Sequence, residues 1–280
     1  MKKKSDFVYQ GKGTFGQLDS DTQLTYEKHK YLRGIIPQLK ELGFEKVVEL
    51  TFGAKMINRE YSRKLKSSKE VLISSVCPGI VEFIKHKFSG FQNNLVLVDS
   101  PMIATAKICK KVFPKHKIVF ISPCGFKKIE AEKSGLINFV LTFKELKDIL
   151  RRFKIKELNQ EFQFDRFYND YTKIYPVSGG LSKTVHLKNL VFKKEVLVLD
   201  GVSKVERFLK NPNKNIKFLD VTFCEGGCIG GPCIQSKLPL FFKRLKVINY
   251  LRKSKREDIP EIKKGLISKA KGLSFTSKNL

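Results

Sequence analysis

No tryptophan occurs in this chain of 280 residues, and it has only three methionines and six cysteines. Six thiols in so long a chain do not make the dense disulfide framework of a small secreted scaffold. No apolar run approaches the ~20 residues that span a bilayer. The start, Met1-Lys2-Lys3-Lys4-Ser5-Asp6, is charged but has no apolar core after it, so no secretory signal is expected and the thiols should stay reduced in a cytoplasmic setting. Acidic residues are scarce too: 27 against 55 Lys and Arg, a formal net charge of +28. Such a surface attracts polyanions and acidic proteins at low salt. The cations are spread along the whole chain, however, and an AT-rich genome also enriches Lys, Ile, Phe and Asn. Without a nucleic-acid-binding motif behind it, the charge makes nucleic acid an unlikely partner.

With 41% hydrophobic and 29% charged residues, the chain has the composition of a globular protein. Short β-branched runs alternate with longer amphipathic stretches. Strands are expected at Lys46–Thr51, Val71–Ser75, Leu95–Asp99, Lys117–Ser122, Ile137–Thr142, Glu195–Asp200 and Ile216–Val221. Most are continuously apolar, as in a parallel sheet covered on both faces. Helices are expected at Gln23–Leu42, Pro78–Lys87, Pro101–Lys111 and Phe143–Phe153, two of them opened by the proline that suits a first turn. The alternation predicts an α/β fold of two lobes, each a mostly parallel sheet flanked by helices. The lobes are expected at about 22–153 and 177–245, joined by a polar, aromatic connection at 154–176. A flexible N-terminus (1–21) and a basic tail (246–280) would flank them. Gly11-Lys12-Gly13-Thr14-Phe15-Gly16 fits G-x-G-x-x-G but lacks the preceding strand a phosphate loop needs, and reads as a mobile turn. The histidines, His29, His86, His116 and His186, lie far apart and form no ligand pair.

The cysteines carry the chemistry. Cys77, Cys124 and Cys224 each follow an expected strand, and Cys228 lies one helical turn beyond Cys224. Ligands of open α/β sheets sit beyond the carboxyl ends of the strands, so four thiols converge there from three strand ends. Cys109 sits mid-helix and reads as packing; Cys233 is a fifth candidate for four places. Four thiolates hold zinc or an iron–sulfur cluster. One C-x3-C pair and two isolated ligands suit a cuboidal cluster better than a structural zinc, which usually takes two close pairs. In Cys224-Glu225-Gly226-Gly227-Cys228-Ile229-Gly230-Gly231 the nearly bare backbone can approach a bulky inorganic group. The plain alternative is a Gly-rich turn with two buried cysteines.

Three motifs resemble those of the catalytic domain of iron-only ([FeFe]) hydrogenases, in the family's order and over about Thr22 to Leu245. Ser74-Ser75-Val76-Cys77-Pro78-Gly79 is similar to T-S-C-C-P-G. Ser122-Pro123-Cys124-Gly125-Phe126-Lys127-Lys128-Ile129-Glu130 is similar to M-P-C-x-x-K-x-x-E. Phe218 to Gly231 is similar to E-V-M-x-C-x-G-G-C-x-x-G-G. Weaker matches include Phe52-Gly53-Ala54, Ser100-Pro101 and Ser178-Gly179-Gly180. The resemblance implies an iron–sulfur site in the cleft between the lobes: Cys77, Cys124, Cys224 and Cys228 holding a [4Fe–4S] cubane, with Cys228 bridging to a two-iron subcluster that bears CO, cyanide and a dithiolate. It implies that Lys127 hydrogen-bonds a cyanide, that Glu130 is a structural salt-bridge partner, and that Ser122, Thr222 and Gly227 lie against the cofactor.

The departures matter. The family's proton-passing cysteine is Val76 here, its two motif methionines are Ser122 and Thr222, and the glutamine often found after Ser-Pro is Met102. The stretch after Phe52-Gly53-Ala54 offers one suitable carboxylate, Glu60. These losses resemble a divergent branch regarded as sensory. The implied function is H2 sensing, or slow H2 oxidation and proton reduction, with electrons exchanged with an acidic carrier such as a ferredoxin; whether the chain is an enzyme is left open. The alternatives are a non-catalytic [4Fe–4S] redox or assembly protein without the two-iron unit, and a basic RNA-associated zinc protein.

Overall fold

The computed structural model describes residues 14–18, 35–68, 70–156, 162–185 and 193–277. Seven strands occur among them: β1 (Thr14–Leu18), β2 (Lys46–Glu49), β3 (Leu72–Ile73), β4 (Lys117–Ser122), β5 (Phe139–Thr142), β6 (Val196–Asp200) and β7 (Phe218–Thr222). Nine α-helices accompany them: α1 (Ile35–Glu41), α2 (Thr51–Ser67), α3 (Pro78–Lys87), α4 (Pro101–Val112), α5 (Phe126–Ser134), α6 (Phe143–Arg152), α7 (Gly180–Thr184), α8 (Val202–Lys210) and α9 (Leu240–Ser254). None of these helices is long and apolar enough to cross a membrane.

The strands form two parallel sheets flanked by helices, as the apolar runs imply. One has the order β2-β1-β4-β5, the other β3-β7-β6. Val47, Val48, Ile118, Phe120, Ile121 and Phe218 are almost completely buried. Parallel strands need covered faces, because their crossover helices pack on both sides. The helix starts follow local chemistry. Ser100 caps α4 by accepting the Ile103 N–H, and Thr142 with Glu145 forms a reciprocal capping box on α6. Gly135, in the left-handed region, ends α5.

Lys117–Ser122 and Pro78–Lys87 are found with the expected bounds, and most other elements are shorter by one to three residues. The expected strand Leu95–Asp99 is not one. Leu95 makes a single bridge to Ile73, after which the Asp99 N–H donates to the Phe275 carbonyl and Ser277 N–H to the Leu97 carbonyl. Of the helix expected at Gln23–Leu42, only Ile35–Glu41 lies in the described residues. Gly11 to Gly13, His29 and His186 lie outside them.

The division into lobes is corrected. β3 and the following α3 belong with β6 and β7, so the boundary does not fall at 153 and the two halves of the sequence interleave. Thr14–Leu18, expected in a flexible N-terminus and overlapping the supposed mobile turn, is instead a strand between β2 and β4. The connection 154–176 is not a bare linker. Phe164, Phe167, Thr172 and Lys173 are buried, and the Phe167 ring stacks on Phe52 at 5.8 Å. Nor does a tail begin at 246, because α9 runs through that point, and Ala270 and Phe275 pack into the main core.

Candidate functional site

One apolar cleft opens where strands of both sheets end. Its walls include Leu50 and Thr51 beyond β2, Val76 and Cys77 beyond β3, Pro123 and Cys124 beyond β4, and Thr222, Phe223 and Cys224 at the end of β7. Lys127, Tyr175, Pro176, Gly227 and Cys228 complete it. The four cysteines singled out from the sequence therefore share one cavity.

Each arrives for a local reason. Beyond β3, the Ser74 N–H donates to the Leu219 carbonyl (2.8 Å) and the Ser74 hydroxyl accepts the Val221 N–H (2.9 Å). The Ser75 N–H donates to the Tyr61 hydroxyl (2.8 Å), and the Ser75 hydroxyl to the Val96 carbonyl (2.5 Å). These bonds hold both serines buried and deliver Val76 and Cys77 to the cleft before Pro78 opens α3. At the end of β4, the Ser122 hydroxyl accepts the Cys124 N–H (3.0 Å) and donates to the Cys124 carbonyl (2.9 Å). Thr222 does half the same at the end of β7, donating to the Cys224 carbonyl (3.2 Å). Short hydroxyl side chains make such local turns and longer apolar ones cannot. Thr222 lines the cleft; Ser122 does not. Ser122 is fully buried behind the Cys124 turn, so it supports a cleft residue rather than facing an occupant.

The loop from Cys224 to Gly231 is zipped to the segment before α7. The Cys228 N–H donates to the Pro176 carbonyl (2.8 Å), the Ser178 N–H to the Gly226 carbonyl (3.1 Å), and Val177 bridges Gly227. The Gly226 N–H donates to the Asp200 carboxylate (2.9 Å). Gly227 has φ 84° and ψ −153°, a conformation essentially restricted to glycine. A Cβ there would stand 2.6 Å from the Pro176 carbonyl oxygen.

The charges are set by burial and by neighbours. Lys127 is 8% exposed, and its Nζ lies 2.6 Å from Glu130 Oε2. Burial alone would lower its pKa; the Glu130 carboxylate outweighs that, with Cys228 and Cys77 adding to it, and the ammonium stays above its ordinary value. Glu130, expected as a structural salt-bridge partner, thus pairs with Lys127. Burial pushes the Cys224 thiol up to about 11, with Cys77, Cys124 and Cys233 adding to it. Cys124 is raised for the same first reason. Burial thus favours the protonated thiol at Cys124 and Cys224 unless a cationic group takes the proton's place. Among the described residues, no three His, Cys, Asp or Glu side chains are grouped closely enough to hold a metal ion. The four cysteines are wall residues of one cavity.

Cys109 is buried in the main core, as its mid-helix position suggested. Cys233 is near enough to act on Cys124 and Cys224 electrostatically but does not line the cleft. Glu60 turns away and pairs with Arg63 at 2.8 Å; its neighbour Tyr61 is the residue that points inward, to Ser75. Two contributors escaped the sequence reading. Tyr175 lines the cleft with a buried hydroxyl that has no hydrogen-bond partner among the described residues. Behind Leu50 and Thr51, a buried Lys173–Glu49 pair is joined by the Tyr250 hydroxyl. Only the nearness of Tyr175 to Ser178-Gly179-Gly180 could have signalled the first.

The family model "Iron only hydrogenase large subunit, C-terminal domain" matches residues 16–232. Iron hydrogenase 1 of Clostridium pasteurianum is 26% identical over 254 residues, which cover 70% of this chain and 44% of that protein. The cytosolic Fe-S cluster assembly factor NAR1 of Encephalitozoon cuniculi (strain GB-M1) is 24% identical over 217 residues, covering 69% of this chain and 59% of that one. The chain spans about half the length of the curated relatives it matches. Its fold is similar to that of the [FeFe]-hydrogenase HydA(deltaEFG), with a TM-score of 0.65, 13% identity and coverage of 87% and 85% of the two chains. With both the motifs and the matched span in place, the chain belongs to the family defined by the C-terminal domain of the iron-only hydrogenase large subunit.

Proposed function

We propose that this protein holds a [4Fe–4S] cluster on Cys77, Cys124, Cys224 and Cys228 and acts as a hydrogenase-type iron–sulfur protein in redox sensing, with H2 as the ligand when a two-iron subcluster is also present. One observation carries the reading: four thiols from three strand ends line a single apolar cleft. The cluster would supply the positive charge that thiolates need there. Lys127 already stands charged beside Cys228 and Cys77, so an anionic ligand such as cyanide on a second iron unit would meet a charge-assisted donor. Val76 lines the cleft where the family passes protons through a cysteine, and its isopropyl group carries none. Fast hydrogen turnover is therefore not expected. An acidic electron carrier of ferredoxin type suits the net charge of +28, and a cytoplasmic location suits reduced thiols.

A second reading, a [4Fe–4S] redox or assembly protein without the two-iron unit, is favoured by Val76 together with the similarity to the assembly factor.

The experiment is anaerobic reconstitution. The chain should turn brown and bind about four iron and four sulfide. Cys77→Ala and Cys228→Ala should each abolish the colour, and unchanged absorption in either would end the ligand assignment. Infrared carbonyl and cyanide bands after co-expression with the hydrogenase maturation enzymes separate the two readings. If the bands are present, Val76→Cys should raise hydrogen turnover. Protein that stays colourless and binds zinc rejects both.

A further inference from the structure

Tyr175 is a polar residue of the cleft that the proposed function leaves unused. Its hydroxyl oxygen is buried and makes no hydrogen bond among the described residues. A buried hydroxyl left unpaired is costly, so such a group in a native cleft calls for a partner. Its position is tied to that of Cys228. The Tyr175 N–H is fixed on the Thr172 carbonyl (3.0 Å), and the next residue's carbonyl accepts the Cys228 N–H (2.8 Å). Three groups act on the phenol electrostatically: Tyr61, Asp220 and Cys228. Two of them are engaged elsewhere. The Tyr61 hydroxyl bonds Ser75, and Asp220 accepts from the Ser182 N–H (2.9 Å) and hydroxyl (2.7 Å). Cys228 is the one on the cleft wall with Tyr175.

From its unpaired hydroxyl and its place on the cleft wall with Cys228 we infer that Tyr175 donates a hydrogen bond to the iron–sulfur group held at Cys228. This rests on the proposed cluster and adds to it a residue that sets its redox potential. A hydroxyl donating to a cluster sulfur favours the reduced, more negative state, and so raises the reduction potential.

The test compares wild type with Tyr175→Phe, a nearly isosteric change, in the anaerobically reconstituted full chain. Both should bind the same iron and sulfide. In an EPR-monitored redox titration the variant's midpoint should fall by about tenfold in the one-electron equilibrium, about 59 mV. Equal midpoints at equal iron content overturn the inference and leave the cluster intact. Without cluster, the variant should be at least as heat-stable as wild type, because it buries one unpaired hydroxyl fewer. A lower melting temperature of the empty variant would mean that the hydroxyl has a structural partner, and would also overturn the inference. A wild-type chain that takes up no iron removes the cluster reading and this inference with it.

Discussion

At the scale of single residues, Gly227 shows why the cysteine loop tolerates so few side chains. Its backbone lies in a region that costs other residues about 1–3 kcal/mol, and an added Cβ would collide with the Pro176 carbonyl. That carbonyl also holds the Cys228 N–H, so relief of the clash would displace a proposed ligand. Gly227→Ala should lower the melting temperature by several degrees and reduce iron retention, read by calorimetry and by iron content after reconstitution. Unchanged values in both would show that the loop does not depend on this backbone. The sequence made this legible, because a pair of cysteines separated by glycines has few other uses. It did not distinguish Ser122 from Thr222. Both end a strand two residues before a cysteine, and only the three-dimensional turn puts one hydroxyl behind the wall and the other on it. Tyr175 was hidden for another reason: an aromatic residue in an aperiodic stretch carries no sign of whether its hydroxyl will find a partner.

At the scale of elements, the strands and helices with strong periodicity were readable, and their pairing was not. β3 is two residues long and joins a strand 146 positions later, β7, at Leu72–Phe218 and Ile73–Leu219. Apolar runs report burial but not which sheet buries them. The aromatic stretch before α7 was misread as a connection because its contribution is a buried polar network. There the Lys173 ammonium meets the Glu49 carboxylate, the Tyr250 hydroxyl donates to Glu49 (2.9 Å), and the Lys173 Nζ sits 4.6 Å from the Tyr250 ring centre. β2, the segment before α7, and α9 thus meet at one ion pair whose side chains are 1–2% exposed. Removing one partner leaves an uncompensated buried charge, which costs about 3–5 kcal/mol. Lys173→Met should lose that amount in urea unfolding, whereas Lys173→Met with Glu49→Leu should recover much of it, because matched apolar replacement of a buried pair is often nearly neutral. A double variant no more stable than the single one would show that the pair stabilises the fold beyond cancelling its own desolvation.

At the scale of the whole molecule, the cleft is the seam between the two sheets. Cys77, Cys224 and Cys228 follow strands of the β3-β7-β6 sheet, while Cys124 follows β4 of the other. A group bound to all four would therefore fasten one sheet to the other, in addition to filling a cavity. Anything that binds only the folded state stabilises it, by about 4 kcal/mol at a thousandfold excess over the dissociation constant. For a chain of this size that corresponds to a rise of roughly 10 °C in melting temperature. The four proposed ligands would not be equivalent in this respect, because Cys124 is the one that would tie the four-stranded sheet to the bound group. Without cluster, wild type and Cys124→Ala should melt together, since a half-buried thiol turned to a methyl at a turn removes little packing. After anaerobic reconstitution the wild type should gain the rise and Cys124→Ala should lose most of it, even where some iron remains on the other three thiols. A chelator that strips the metal should return the wild type to its starting point. Equal gains in wild type and Cys124→Ala would mean that the bound group sits on one sheet alone, and that the seam is closed by protein contacts and not by sulfur and iron.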